Sequence, residues 1–280
     1  MSVKIVTDSL SDITGDLIDE LGVTVVPLTV FFGHESFLDR VTITTDEFYR
    51  RLVHGNVLPT TTQPSPADFL DVYRKLAKET DEILVVTLSS RLSGTYQSAK
   101  QAQDMFDGKC RIEVIDSRMV AMCLGVIVIA AAKAAKAGAN LDELVDLVHK
   151  NISRTYLLAY FDTLKYLAKG GRIGKAQGLL GAVLSVKPIL TIKDGEMAPV
   201  TRLRSKAAGM DYLYNFAAGF AEIEEMAVEN ATTPDDAQAL AERLKGIYPG
   251  RIYLSALSPV LGTYAGPGAL AICILGTEKA

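Results

Sequence analysis

The first half of the chain alternates short apolar runs with amphipathic stretches, and polar or Gly/Pro breaks separate them. Runs at 4–7, 23–32, 83–87 and 111–115 are rich in Val, Ile, Leu and Thr and read as strands. Residues 33–40 read as a turn or hairpin, and Pro64 and Pro66 stiffen a loop. Helices are expected over 14–21, 46–53 and 67–78, and from Ser93-Gly94-Thr95 onward. Ser11-Asp12 and Thr45 are candidate caps, and Gly22 and Gly55 are candidate stops. Two further helices, at about 119–137 and 141–150, flank Gly138.

The pattern then changes. A strand at 157–161 and a helix at 162–168 lead into the Gly-rich segment Lys169-Gly170-Gly171-Arg172-Ile173-Gly174. Strands at 183–192 and 197–202 flank an Asp194-Gly195 turn, the chemistry of a tight hairpin. Helices at 205–220 and 234–246 alternate with strands at 226–230, 252–256 and 269–275. The fold class expected is α/β. An N-terminal domain, 1–155, has a mainly parallel sheet flanked by helices, and a C-terminal α+β domain, 156–280, follows. A ligand is expected between them.

At 280 residues and 49% apolar composition, the chain has enough material for a large core. Cys110, Cys123 and Cys273 are widely separated, with no CxxC and no His-Cys grouping. That argues against structural zinc or a disulfide framework and fits a reducing cytoplasm. Residues 1–9 run straight into a strand, so no signal peptide is expected. The uncharged run 119–132 is too short to span a bilayer and reads as a buried helix. Net charge is −4, but residues 155–210 hold nine Lys/Arg against three Asp/Glu. A basic island in an acidic chain points to an anionic ligand or an acidic partner, and a solvated face accounts for it equally. General nucleic-acid binding does not fit the overall acidity.

The segment EILVVTLSSRLSGTYQSAKQAQDMF, residues 82–106, carries the sharpest chemistry. A strand ends in a polar loop, and a helix starts beside Ser93. Free N–H groups and a partial positive charge at a helix start, with a hydroxyl alongside, suit a carboxylate or phosphate. Two other readings stay open: a nucleophilic serine and a simple helix cap. A nucleophile needs a base. His34, His54 and His149 lie in no motif-like setting, and LSGT is not a GxSxG elbow. The loop Thr60-Thr61-Thr62-Gln63-Pro64-Ser65 offers several donors without charge. Asp8-Ser9, Ser89-Ser90 and Asp116-Ser117 stand at strand ends, where open parallel sheets place ligands and where helix caps also occur. Arg202, Arg204 and Lys206 form a basic cluster after the hairpin, and Tyr264 precedes a Gly-Pro-Gly turn. No metal site or cofactor is expected.

Seven segments together resemble the DegV family of bacterial fatty-acid-binding proteins: VTDSLSD at 6–12, TTTQPSP at 60–66, LSSRLSGTYQSA at 88–99, VIDS at 114–117, DTLKYLAKGGRIGK at 162–175, LSVKPIL at 184–190 and GTYAGPGAL at 262–270. The resemblance implies two α/β domains enclosing a long-chain fatty acid. It places the carboxylate at Ser93 and Gly94, helped by Thr61 and Thr62, with Tyr264 facing the cleft. It implies no catalysis by the chain itself. The bound acid is presented to a separate ATP-dependent fatty-acid kinase that makes an acyl-phosphate, with Arg172 and Arg204 at the docking surface. In one place the chain departs from the family pattern: Tyr264 stands where the family usually has histidine. Histidine changes charge near physiological pH, whereas tyrosine offers only a hydrogen bond there. Hydrolysis of an acyl ester or thioester through Ser93 is the alternative function.

Overall fold

The structure is a computed structural model describing residues 2–179 and 186–279. In chain order the strands and helices are β1 (Lys4–Asp8), α1 (Gly15–Leu21), β2 (Thr24–Val26), β3 (Thr29–Phe32), β4 (Glu35–Leu38), α2 (Thr45–His54), β5 (Thr60–Thr62), α3 (Pro66–Leu76), β6 (Glu82–Thr87), α4 (Thr95–Met105), β7 (Arg111–Asp116), α5 (Met122–Lys136) and α6 (Leu141–Ile152). There follow β8 (Thr155–Tyr160), α7 (Lys165–Lys169), β9 (Lys187–Lys193), β10 (Glu196–Leu203), α8 (Lys206–Ala218), β11 (Phe220–Asn230), α9 (Pro234–Leu244), β12 (Ile252–Ala256), α10 (Pro259–Ala265) and β13 (Leu270–Glu278).

The first sheet has order β2-β1-β6-β7 and is parallel throughout. Alternation along its strands feeds two cores. Val6, Ile83, Val85, Ile112 and Val114 pack under Phe69, Leu70 and Tyr73 of α3 and Ala99 and Ala102 of α4. Ile5, Leu84 and Val86 face the other way, towards α5. The second sheet, β10-β9-β8-β13-β11-β12, is antiparallel except at β11–β12. Leu158, Tyr160, Val228, Ile272 and Ile274 cover α8 and α9, while Leu157, Ala159, Ala227, Ala271 and Cys273 join the α5 side. Helix α5 thus lies between the sheets. The apolar run 119–132 becomes its buried surface. Gly125 is required there, because a Cβ would stand 2.4 Å from the Ser11 carbonyl oxygen. Among the described residues no helix is long and apolar enough to cross a membrane.

The α/β architecture follows the expectation, with local differences. The run 23–32 is two strands: β2 pairs with β1, and β3 joins a three-stranded sheet β4-β3-β5. Pro27 lies at the break, where it supplies no N–H for a ladder. The loop before Pro64 contains β5. The turn around Tyr264 is helical, with the Ser258 side chain accepting at the cap and Pro259 opening α10. The hairpin turn is as read, with Asp194 and Gly195 at φ 56° and 81°. The strand expected over 183–192 is β9 from Lys187 onward, while residues 183–185, and with them part of the motif at 184–190, lie outside the described residues.

Candidate ligand-binding site

Between the two sheets lies a cavity, partly open to solvent. Its apolar lining comes from both. Leu10 and Leu88 follow β1 and β6. Leu157, Ala159 and Phe161 come from β8 and its end, Ala269 and Ala271 from the start of β13, and Met197 from β10. Val260, Leu261 and Ala265 of α10 and Leu167 of α7 close it further. Five polar lining residues, Thr61, Gln63, Ser93, Arg172 and Tyr264, converge with this apolar body. An apolar cavity with a few polar groups is the form of a site for an amphiphile.

Strand alternation selects the polar residues. In β5, Thr61 stands opposite the buried Val30 of β3, and its side chain lines the cavity. Thr62 takes the opposite face, is exposed and does not line the cavity. Continued one residue past the end of β5, the same alternation brings Gln63 to the cavity beside Thr61; Gln63 belongs to the loop at 60–65 and is not among the site residues expected from the sequence. Recognising β5 as a strand is the signal that finds it. Thr61 Oγ1 lies 2.5 Å from the Tyr264 hydroxyl.

Ser93 precedes Gly94, the N-cap residue of α4, and no side-chain cap hydrogen bond is present. Ser93 Oγ instead lies 2.9 Å from Thr95 Oγ1. Its hydroxyl is therefore not used as a helix cap. Gly94 is not itself in the lining. A Cβ there would stand 3.0 Å from Gln63 Nε2, so the missing side chain is what lets Gln63 lie over the helix start. The first N–H groups of such a helix have no intrahelical acceptor.

The turn after α7 completes the mouth. Arg172 donates to the carbonyls of Leu92 at 3.2 Å and Gly170 at 2.7 Å, and its guanidinium lies 5.2 Å from the Tyr264 ring centre. Gly170 makes room, since a Cβ would lie 2.4 Å from Tyr264 Cδ1. Arg172, expected on a docking surface, is exposed and at the same time lines this cavity. Thr61, Arg172 and Tyr264 also line a second hollow with Lys169 and Tyr166, so these three residues form a partition between the two. Arg204 lies in the exposed turn between β10 and α8, away from both hollows.

Among the described residues no histidine, aspartate or glutamate lines the cavity, and His34, His54 and His149 are exposed elsewhere. Ser93 therefore has no base, and the hydrolase alternative lacks its chemistry. The strand-end polar pairs serve the fold. Asp8 accepts from the Leu10 and Leu88 amides at 3.0 and 2.7 Å, fixing two lining residues, and its complete burial pushes the carboxyl up to about 7. Ser89 Oγ donates to the Gly195 carbonyl at 2.7 Å, tying the hairpin tip to the loop before Ser93. Ser90 donates to Asp116 through both its amide and its hydroxyl. Among the described residues no grouping of His, Cys, Asp or Glu has metal-site geometry.

A cavity between a parallel and a mixed sheet, with a mostly apolar lining and one group of polar residues, has the form of a site for a small amphiphile in an α/β protein. The chain belongs to the DegV family: the model of that family, described as uncharacterised proteins, matches residues 2–277. A DegV domain-containing protein of Caldanaerobacter subterraneus subsp. tengcongensis is 40% identical over 275 residues, covering 96% of this chain and 97% of that protein. A DegV family protein from Thermus thermophilus, described by its fatty acid binding, superposes with a TM-score of 0.89 at 31% identity, covering 99% of this chain and 100% of that one. DegV from Bacillus subtilis, described as a fatty acid binding protein, gives 0.89 at 29% identity over 99% and 100% of the two chains.

Proposed function

We propose that this protein binds one long-chain fatty acid, with its carboxylate at Ser93 and its chain in the cavity between the sheets. The observation that carries the reading is the apolar cavity ending at Thr61, Gln63, Ser93 and Tyr264. Each buried methylene contributes about 0.8 kcal/mol. A long chain therefore binds tightly with few polar contacts. Ser93 Oγ, the Thr61–Tyr264 hydroxyl pair and the α4 N–H groups supply donors to the head, and Arg172 supplies a positive charge at the mouth. The structural relatives described as fatty-acid-binding support the same ligand. A short polar anion fits less well, because most of the lining would stay empty of contacts.

In this reading residues 1–155 carry the carboxylate-binding loops and residues 156–280 close over the chain. The protein performs no chemistry of its own. It presents the carboxylate to an ATP-dependent fatty-acid kinase in the cytoplasm for acyl-phosphate formation. Arg172 and Arg204, both exposed, contribute to that docking surface, and Arg172 also borders the ligand. Extraction of the purified protein into organic solvent followed by mass spectrometry tests the ligand. A stoichiometric long-chain fatty acid is expected. Absence of any fatty acid, together with no uptake of added fatty acid, overturns the reading.

A further inference from the structure

We propose that Asp12 and Glu229 share a single proton inside the fold, and that this pair latches the cavity wall to the core, so that losing the proton at alkaline pH loosens the ligand site. Both side chains are fully buried. Glu229 Oε2 accepts from the Met122 amide at 3.0 Å and from Cys273 Sγ at 3.5 Å. Its other oxygen, Oε1, meets no protein N–H or O–H donor. Met122 opens α5. The residue before it, Ala121, lines the cavity with a left-handed φ of 61°. Glu229 thus holds a strained piece of the wall in place.

Asp12 holds the opposite wall. Its Oδ2 accepts from the Ser258 amide at 3.2 Å, and its backbone carbonyl accepts from Ser255 Oγ at 2.9 Å. Ser258 caps α10, the helix that carries Val260, Leu261 and Tyr264 to the cavity. Glu229 of β11 pairs in register with Ser255 of β12, whose hydroxyl bonds the Asp12 carbonyl, and this brings the two buried carboxyls within hydrogen-bond reach of each other. Two bare carboxylates in contact repel, so one of them keeps a proton. Arg40 Nη2 donates to Asp12 Oδ1 at 2.5 Å, while Glu229 has no cationic partner among the described residues. The proton therefore sits on Glu229 Oε1 and is donated to Asp12.

The surroundings reinforce this assignment. Asp8, Asp39 and Tyr49 face the pair from the first half of the chain, and Cys123 and Cys273 face it from α5 and β13. Lys133 of α5 is engaged elsewhere by Glu225. Arg40 is thus the one cation set against Asp8, Asp12, Asp39 and Glu229 among these described groups. Burial first, then the neighbouring anionic groups, pushes Glu229 well above the usual carboxylate range. Deprotonation would leave an uncompensated charge between α5 and α10, and the hydrogen bond that joins the two walls would be gone.

Glu229→Gln tests this, because its amide donates permanently where the acid donates only when protonated. Three measurements from pH 8 to pH 10, above the range in which Asp8 and Asp39 ionise, are compared with wild type: the infrared band of a protonated carboxyl, thermal stability, and the dissociation rate of a bound fluorescent long-chain fatty acid. Wild type is expected to lose a protonated-carboxyl band as pH rises, and Glu229→Gln to lack that band from the start. Fatty-acid release is expected to accelerate with pH in wild type and to stay flat in the variant, which also loses less stability than wild type over this range. Glu229→Ala should be less stable throughout. An unchanged infrared band in Glu229→Gln, or parallel release profiles, overturns the proposal. The release arm rests on the fatty-acid reading, whereas the infrared and stability arms do not. Failure to bind any fatty acid would therefore strike that reading and leave the shared proton to be decided by its own spectrum.

Discussion

The Thr61 hydroxyl lies 2.5 Å from the Tyr264 phenol, and this contact joins an edge of the three-stranded sheet to α10 at the head of the cavity. Neither residue reaches that point without its own element. Thr61 is aimed by the alternation of β5, and Tyr264 by a helix that Ser258 caps. Removing the phenol oxygen with Tyr264→Phe keeps the ring under Arg172 and removes one donor. Fatty-acid affinity is expected to fall by about 1 kcal/mol, the ordinary net value of one hydrogen bond. Titration calorimetry checks this, and an unchanged affinity would place the carboxylate elsewhere.

Ser93→Ala removes a donor to a charged group, which typically costs about 1.5–3 kcal/mol. A loss of about ten- to a hundred-fold in fatty-acid affinity is therefore expected. Thr62→Ala is the matched control. Thr62 lies on the other face of β5 and is exposed, so affinity should not change. Equal losses in the two variants would contradict the geometry of the strand.

Charge reversal separates Arg172 from Arg204. Arg172 borders the cavity and stacks on Tyr264, whereas Arg204 lies outside both hollows. Arg204→Glu should spare fatty-acid binding while impairing coupling to a kinase. Arg172→Glu should impair both, since it places a carboxylate beside the ligand's own. Binding assays with and without the kinase distinguish these outcomes.

Stability should depend on pH through the buried carboxyls. Burial raises Asp8 and Asp39 from their ordinary value of 3.8 to about 7. Each then binds more protons folded than unfolded between those values. Their contribution to stability is full below the unfolded value and is lost as pH rises through about 7. Asp39→Asn removes one of these groups. Ser9 Oγ, which donates to Asp39 at 2.7 Å, can rotate to accept from the new amide. Denaturant titrations from pH 4 to 7.5 should show a shallower decline in the variant. An identical slope would mean that Asp39 is already ionised.

Much of the architecture is legible in the sequence because it follows local periodicity. The runs 83–87 and 111–115 become central and edge parallel strands, and Asp194-Gly195 makes its hairpin. Ser93 is legible because a hydroxyl beside a helix start is a local feature. Three things are not. β5 is three residues long and polar, so nothing in its pattern separates Thr61 and Gln63 from Thr62 until β3 pairs with it. Helix α10 hides among Pro and Gly that read as turn. Arg172 belongs to a basic run, and its place over Tyr264 depends on packing between residues 92 positions apart. The strand-end acids mislead for the opposite reason. Their position marks a ligand site in many parallel sheets, but here Asp8 is consumed by two backbone amides.

The most direct measurement is a crystal structure with a long-chain fatty acid added in excess. The account predicts an elongated chain past Leu157 and Ala271, with its carboxylate within hydrogen-bond distance of Ser93 Oγ and of the Thr61–Tyr264 pair. A carboxylate at the opposite end of the cavity, or a cavity left empty at saturating ligand, would contradict it.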